Sequence, residues 1–159
     1  IDNVIHKVTS AFGRSRFDLV DVEIIRMIDS TDTTTDGCEA GENSEDVAGK
    51  IAMVDRGNCP FIAKASNAQN AGAIGIIIVN NTPNTPLSVI NMSGTDDSIT
   101  IPAVMVSYSS GADIDTHLAM GTTTTSIKSG VEIRDGSVDN SIIEHEWGHY
   151  FSDLILLEC

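Results

Sequence analysis

Short apolar runs along the chain predict a sheet built around one β-α-β unit. The runs 51–54 and 74–79 are apolar on both faces, which is typical of buried strands in a mostly parallel sheet. Between them, Pro60 suits the first position of a helix, and small or apolar residues follow at helical spacing at 61, 65, 68 and 72. The polar residues of this helix, Lys64 among them, fall mostly on other faces. A right-handed crossover that joins two parallel strands is the simplest interpretation.

Weaker patterns on both sides of this unit predict further strands and a second helix. Ser109 or Ser110 is placed to cap that helix. The predicted fold class is therefore α/β (α+β), a small β-rich body with a β-α-β core and two flanking helices. The further strands, each an alternating, apolar or β-branched stretch, are 17–24, 101–106, 122–128 and 131–134.

The chain is strongly acidic. It has 23 Asp and Glu residues against 9 Lys and Arg residues, which gives a formal net charge of −14. This excess argues against binding to nucleic acid or to an anionic membrane, since both require clustered cations. No apolar run reaches the roughly 20 residues that a membrane span requires. The chain begins without Met and without a signal peptide, so we expect a mature or excised segment of a longer protein.

The segment 37–46 concentrates acidic side chains and contains no basic residue. Two interpretations are open, a loop that attracts cations and an ordinary solvated loop, and the second is the simpler one. Ca²⁺ stays a candidate ligand, because this ion prefers carboxylate oxygens. The acidic residues are Glu39, Glu42, Glu45 and Asp46.

Three motifs in a fixed order resemble the protease-associated (PA) domain. They are GKIAMVDRGNCPF, NAQNAGAIGIIIVNN and ITIPAVMVS, and the resemblance covers residues 37–118. The PA family occurs as an insert or companion of secreted peptidases and as a lumenal module of sorting receptors. The resemblance implies the PA fold, a secreted or extracellular location, and a shallow surface cleft edged by the segment 80–98.

The same resemblance implies a disulfide between Cys38 and Cys59, because the sequences around both cysteines match the family. Such a bridge indicates an oxidising compartment. Two buried thiols are the alternative. Cys159 is the last residue, and we interpret it as a free thiol or as the mark of an arbitrary end.

A second motif, HEWGH at 145–149, carries candidate chemistry. On a helix, His145 and His149 lie one turn apart on the same face, which suits two imidazole ligands of Zn²⁺. Glu146 is then placed as the catalytic base that takes a proton from a zinc-bound water, whose pKa the metal lowers towards about 7. The alternative is an ordinary amphipathic helix with two histidines.

The residues around this motif, RDG and DNSIIEHE, resemble the active-site helix of fungalysin-like zinc metallopeptidases over 134–153. Some bacterial relatives of that family carry a PA domain just upstream of this helix. The family's third zinc ligand is a Glu well beyond the motif, whereas this chain stops ten residues after His149, and Glu158 has the wrong spacing. Ser152 and Ile155 stand where the metzincin extension requires Gly and His, so that class is excluded.

These patterns divide the chain into a PA domain with flanking strands at 1–133 and a truncated zinc-peptidase segment at 134–159, with HEWGH on a C-terminal helix. We expect the PA module of a secreted zinc metallopeptidase, acting in substrate access or protein interaction, while the complete peptidase hydrolyses peptide bonds. The expected partners are a protein or peptide substrate and the rest of the catalytic domain.

Because the third ligand is missing, we expect these residues alone to hold zinc weakly and to be inactive. Two alternatives stay open. In the first, this chain is itself an active zinc endopeptidase. In the second, it is a binding module of the sorting-receptor type, which leaves HEWGH unexplained.

Overall fold

The computed structural model describes residues 7–9, 12–14, 16–30, 34–128 and 155–158, with the backbone alone described for 7–9 and 155–158. Seven strands and three helices occur within these residues. In chain order they are β1 (Lys7–Thr9), β2 (Asp18–Arg26), α1 (Ser44–Val47), β3 (Ile51–Asp55), α2 (Phe61–Asn70), β4 (Gly75–Val79), β5 (Ala103–Val106), α3 (Tyr108–Met120), β6 (Thr124–Lys128) and β7 (Ile155–Glu158).

The strands form one sheet in the order β1-β5-β4-β3-β2-β6-β7. Its centre, β5-β4-β3-β2, is parallel, and β1, β6 and β7 join it antiparallel. The predicted β-α-β unit is confirmed, because β3 and β4 pair in parallel with Ile51 opposite Gly75, and α2 connects them. The predicted strands at 17–24, 101–106 and 122–128 are present, whereas 131–134 lies outside the described residues.

The central strands are buried on both faces, and a long helix packs against each face. Because side chains alternate along a strand, Ala52 of β3 contributes to one apolar cluster and Met53 to the other. From α2, Ala65 and Ala68 complete the first cluster, and from α3, Ile114 completes the second. The predicted mixed α/β class is therefore confirmed, and α1 adds a single short turn of helix.

The burial of Lys64 in α2 is not predicted by the helical pattern, which only places its polar residues mostly off the apolar face. The side chain of Lys64 is fully buried, and Nζ donates a hydrogen bond to the backbone oxygen of Asp36 at 2.5 Å. Asn67, one turn further along α2, donates from its side chain to the backbone oxygen of Gly37 at 3.1 Å. Both sides of α2 are thus covered, one by the sheet and the other by the loop that follows β2.

The start of α3 also differs from the prediction. Its N-cap is Ser107, and not Ser109 or Ser110; the Ser107 hydroxyl accepts a hydrogen bond from the backbone N–H of Ser110 at 3.2 Å. Further along, Gly111 lies against β4 so closely that a Cβ at this position would be 2.2 Å from Cγ1 of Val79. The absence of a side chain permits this approach, and it brings α3 close to the ends of the central strands.

Candidate functional site

A cleft opens where the parallel strands of the sheet end. Arg26, Asp55 and Asn80 lie at the carboxyl ends of β2, β3 and β4, and Tyr108 and Asp115 of α3 form the opposite wall. The cavity has a volume of about 370 Å³. In open α/β sheets, ligands bind outside the carboxyl ends of the strands, where side chains from several strands converge. This position makes the cleft the candidate functional site.

An ion-pair network crosses the cleft. Arg26 donates from Nε and Nη2 to the two carboxylate oxygens of Asp115 at 2.9 and 2.7 Å, and from Nη1 to Asp55 at 2.8 Å. Burial by itself lowers the pKa of Arg26, but the hydrogen bonds and charges of the two carboxylates outweigh burial and raise the pKa above its ordinary value. Arg26 therefore stays charged, and with two carboxylates around one guanidinium the network carries one net negative charge.

Asn80 organises the start of the loop that leads away from the cleft. Its buried side chain donates to the backbone oxygen of Ser88 at 3.0 Å and accepts from Nη1 of Arg56 at 2.9 Å. The next residue, Asn81, is exposed and lines both the cleft and a neighbouring depression formed by residues 56–61. Asn80 thus holds the loop in place through hydrogen bonds, whereas Asn81 is exposed to solvent at the edge of the cleft.

The expected disulfide between Cys38 and Cys59 is present, and it joins the loop after β2 to the segment that leads into α2. Its surroundings are polar, with Nζ of Lys64 3.3 Å from Sγ of Cys38, and with the side chain of Asn58 donating to Asp36 at 2.6 Å. Burial lowers the pKa of Lys64, although the nearby carboxylates oppose this effect. The bridge indicates an oxidising compartment.

The predicted zinc ligands His145 and His149 and the predicted catalytic Glu146 lie outside the described residues, so their roles stay predictions. The same holds for the C-terminal helix and for a domain boundary after residue 133. Within the described ranges, no helix is both long enough and apolar enough to cross a membrane.

The cleft itself was not apparent from sequence motifs. Arg26 and Asp115 are 89 positions apart in the chain, and no local pattern pairs them. The available signal was a charged residue just after each of two predicted strands, Arg26 after 17–24 and Asp55 after 51–54, because parallel strands end at the same edge of a sheet.

Comparison with known proteins agrees with this fold. Residues 18–114, more than half of the chain, match the family described as PA domain. The chain belongs to the PA domain family. Among solved structures, the aminopeptidase from Aneurinibacillus sp. strain AM-1 superposes on this PA domain chain with a TM-score of 0.52 at 19% identity, over 87% of this chain and 36% of that one. This likeness concerns the fold.

Curated proteins that resemble this PA domain differ in their overall activity. Signal peptide peptidase-like 2 of Arabidopsis thaliana is 40% identical over 84 residues, 53% of this chain and 15% of that protein. Leucine aminopeptidase 2 of Arthroderma otae is 29% identical over 120 residues, 76% of this chain and 24% of that protein. ER degradation-enhancing alpha-mannosidase-like protein 3 of Homo sapiens is 40% identical over 86 residues, 50% of this chain and 9% of that protein. The chain thus spans less than a quarter of each relative.

Proposed function

We propose that this chain is the PA module of a secreted zinc metallopeptidase and that the cleft binds a segment of the protein substrate. The observation that carries the proposal is the cleft at the carboxyl ends of β2, β3 and β4, which brings charged, amide and aromatic side chains together. Two of the relatives that share the domain are named as peptidases, which supports the same context. The disulfide supports secretion, since such bridges persist in oxidising compartments.

The chemistry of the cleft favours a neutral or basic peptide. Arg26 is already bound to two carboxylates, so its guanidinium is not available to a carboxylate or phosphate of a ligand. The side chain of Asp115 is 45% exposed and Tyr108 is 42% exposed, so a ligand would meet a carboxylate and an aromatic ring. The net charge of −14 adds a long-range preference against acidic partners.

The proposed zinc site would use His145 and His149, whose imidazoles suit this metal when they are one helical turn apart. A catalytic zinc site has three protein ligands, and we expect the third on the rest of the catalytic domain. Glu158 belongs to strand β7, whereas the fungalysin-like pattern has its third ligand on a helix. Bound zinc would supply a water of lowered pKa, and Glu146 would accept its proton.

The catalytic part of the proposal is tested in the full-length protein that contains this chain. We expect hydrolysis of a denatured protein substrate to be lost with a zinc chelator and to fall about a hundredfold or more in Glu146→Gln, because the general base is removed. Glu144→Gln is the matched control, since it makes the same change two positions away, and it should keep its activity. Retained activity in Glu146→Gln contradicts the assigned role. Hydrolysis of leucine p-nitroanilide without cleavage of the protein substrate contradicts an endopeptidase.

The role of the cleft is tested separately with Tyr108→Ala. Because Tyr108 lines the cleft, we expect the KM for a protein substrate to rise while kcat, and the hydrolysis of a short chromogenic peptide, stay unchanged. Met120→Ala is the control, since Met120 is exposed at the other end of α3 and outside the cleft. Equal KM values for the two variants contradict binding of substrate at the cleft.

The two alternatives give different results with the chain alone. An active zinc endopeptidase would hold one zinc per chain after dialysis and would cleave protein, whereas the proposed module holds little zinc and is inactive. A sorting-receptor type of module would bind a peptide ligand, and in the full-length protein it would show no chelator-sensitive hydrolysis. Elemental analysis and a protein-cleavage assay separate these cases.

A further inference from the structure

We propose that the loop after β2 contains a binding site for a divalent cation of the Ca²⁺ class, formed by Asp29, Asp36 and Glu39. One carboxylate oxygen from each residue lies within 4.8 Å of the others. Ca²⁺ binds oxygen ligands at about 2.4 Å, so two oxygens that share one ion lie at most about 4.8 Å apart. The observed spacing therefore fits a single ion of this size.

The burial of Asp29 supports a ligand at this position. Asp29 is 1% exposed, and within the described residues neither of its carboxylate oxygens has a hydrogen-bond partner. Taking a carboxylate out of water without a partner is costly, and proteins meet this cost by pairing the charge or by binding a metal. Asp29 is thus a buried carboxylate without a hydrogen-bond donor among the described residues, and it lies next to the carboxylates of Asp36 and Glu39.

Lys64 is the alternative counter-ion, and it satisfies the cluster only partly. Its ammonium donates to the backbone oxygen of Asp36 and lies 3.3 Å from Sγ of Cys38, and none of the ion pairs within the described residues includes it. Lys64 therefore leaves both carboxylate oxygens of Asp29 without a hydrogen bond in the described part of the chain. A divalent cation would supply the missing partner.

The kind of ligand favours Ca²⁺ over Mg²⁺. Mg²⁺ requires a nearly ideal octahedron at about 2.0–2.1 Å and gives up its waters reluctantly, so a set of protein carboxylates suits Ca²⁺ better. The carboxylate of Asp36 is moreover held in place, because one oxygen accepts from the backbone N–H of Cys38 at 3.0 Å and the other from Asn58 at 2.6 Å. An ion here would tie the end of β2 to the loop that carries the disulfide.

The site differs from the acidic loop that the sequence singled out. Glu42, Glu45 and Asp46 are exposed, as an ordinary solvated loop requires, and Glu39 is half-buried and joins the cluster. Asp29 and Asp36 lie before this loop in the chain and are buried. The proposal is therefore independent of the peptidase function, and its failure would leave that function untouched.

The test is a titration of the chain with CaCl₂ by isothermal calorimetry, together with thermal unfolding in CaCl₂, MgCl₂ and EDTA. We expect one Ca²⁺ per chain, a higher Tm in Ca²⁺ than in EDTA, and a smaller effect of Mg²⁺. Glu39→Gln should weaken Ca²⁺ binding about tenfold, because it removes one charged ligand. Glu42→Gln is the matched control on the exposed part of the loop and should bind as the original chain does.

Two further variants keep the result decisive. Asp29→Asn should abolish the effect of Ca²⁺ on Tm, and Lys64→Met should strengthen Ca²⁺ binding, because it removes a competing positive charge next to the site. The proposal is overturned if Ca²⁺ neither binds nor raises Tm, or if Glu39→Gln and Glu42→Gln bind equally well. It is also overturned if Lys64→Met weakens binding, since the ammonium would then be part of the site.

Discussion

The contact between α3 and β4 depends on Gly111, and Gly111→Ala is the substitution that tests it. On an exposed helix, Ala in place of Gly is favourable by about 1 kcal/mol. Here the added Cβ would lie 2.2, 2.9 and 3.1 Å from three atoms of the Val79 side chain. Carbon atoms in contact are normally about 3.5–4.0 Å apart. The steric cost therefore opposes the gain in helix propensity.

The balance of these two effects predicts a loss of stability. Overpacking of a core costs about 1–3 kcal/mol or more, and Val79 is only 6% exposed within the central strand β4, so it has little room to move. The 2.2 Å approach places the cost in the upper part of this range, so after subtraction of the propensity gain we expect a net destabilisation of roughly 1–2 kcal/mol. This lowers Tm by several degrees, at about 2–4 °C per kcal/mol. Thermal unfolding followed by circular dichroism measures this change.

Position 112, next to Gly111, provides a control in which Ala is expected to be more stabilising than Gly. Ala112 is exposed on α3, so Ala112→Gly should destabilise by about 1 kcal/mol through helix propensity alone. Ala is thus expected to be the better residue at 112 and the worse residue at 111. The reasoning is refuted if Gly111→Ala raises Tm. A shift of α3 in this variant should also disturb the pairing of Arg26 with Asp115, which the proton resonance of Arg26 Nε would report.

Three further predictions concern the disulfide, Lys64 and Asn80. Replacing Cys38 and Cys59 by Ser should cost about 3 kcal/mol in urea unfolding, because the bridge closes a loop with a sequence separation of 21; an unchanged midpoint would contradict this. Burial lowers the pKa of Lys64 in the folded chain, so between that lowered pKa and about 10.4 the unfolded chain binds more protons, and stability should rise with pH in this window. Lys64→Met should remove the rise, measured by urea unfolding at pH 8 and pH 10, and an identical pH dependence would refute the assignment. Asn80→Ala removes several buried hydrogen bonds at about 1 kcal/mol each, so limited proteolysis should cleave the following loop faster, and an unchanged cleavage rate would contradict its role.

The elements that local patterns predict well are those whose environment is uniform. The segments 51–54 and 74–79 are apolar on both faces, and this pattern is sufficient to predict a strand that is buried on both faces. The strands β3 and β4 were therefore predictable, together with the helix between them. The disulfide was likewise expected, because the sequence around each cysteine resembles the PA family. The donor set of HEWGH is likewise a prediction from the sequence alone, since two histidines four positions apart would share one face of a helix.

Residues whose partners lie far along the chain were not predictable in this way. Helical periodicity places Lys64 off the apolar face of α2, but only folding brings the backbone of Asp36, 28 positions earlier, within reach of its ammonium. The pairing of Arg26 with Asp115 arises because α3 crosses the sheet and lies against β4. In each case a charged side chain is placed by a long-range contact, and a local pattern contains no information about the other partner.

The acidic cluster illustrates the same division. Proximity in sequence grouped Glu39 with Glu42, Glu45 and Asp46, whereas the folded chain groups Glu39 with Asp29 and Asp36. The local sequence determines that this region is acidic. The tertiary structure decides which carboxylates lose their water, because burial depends on what packs above them, and the carboxylates that lose their water are the ones that need a partner.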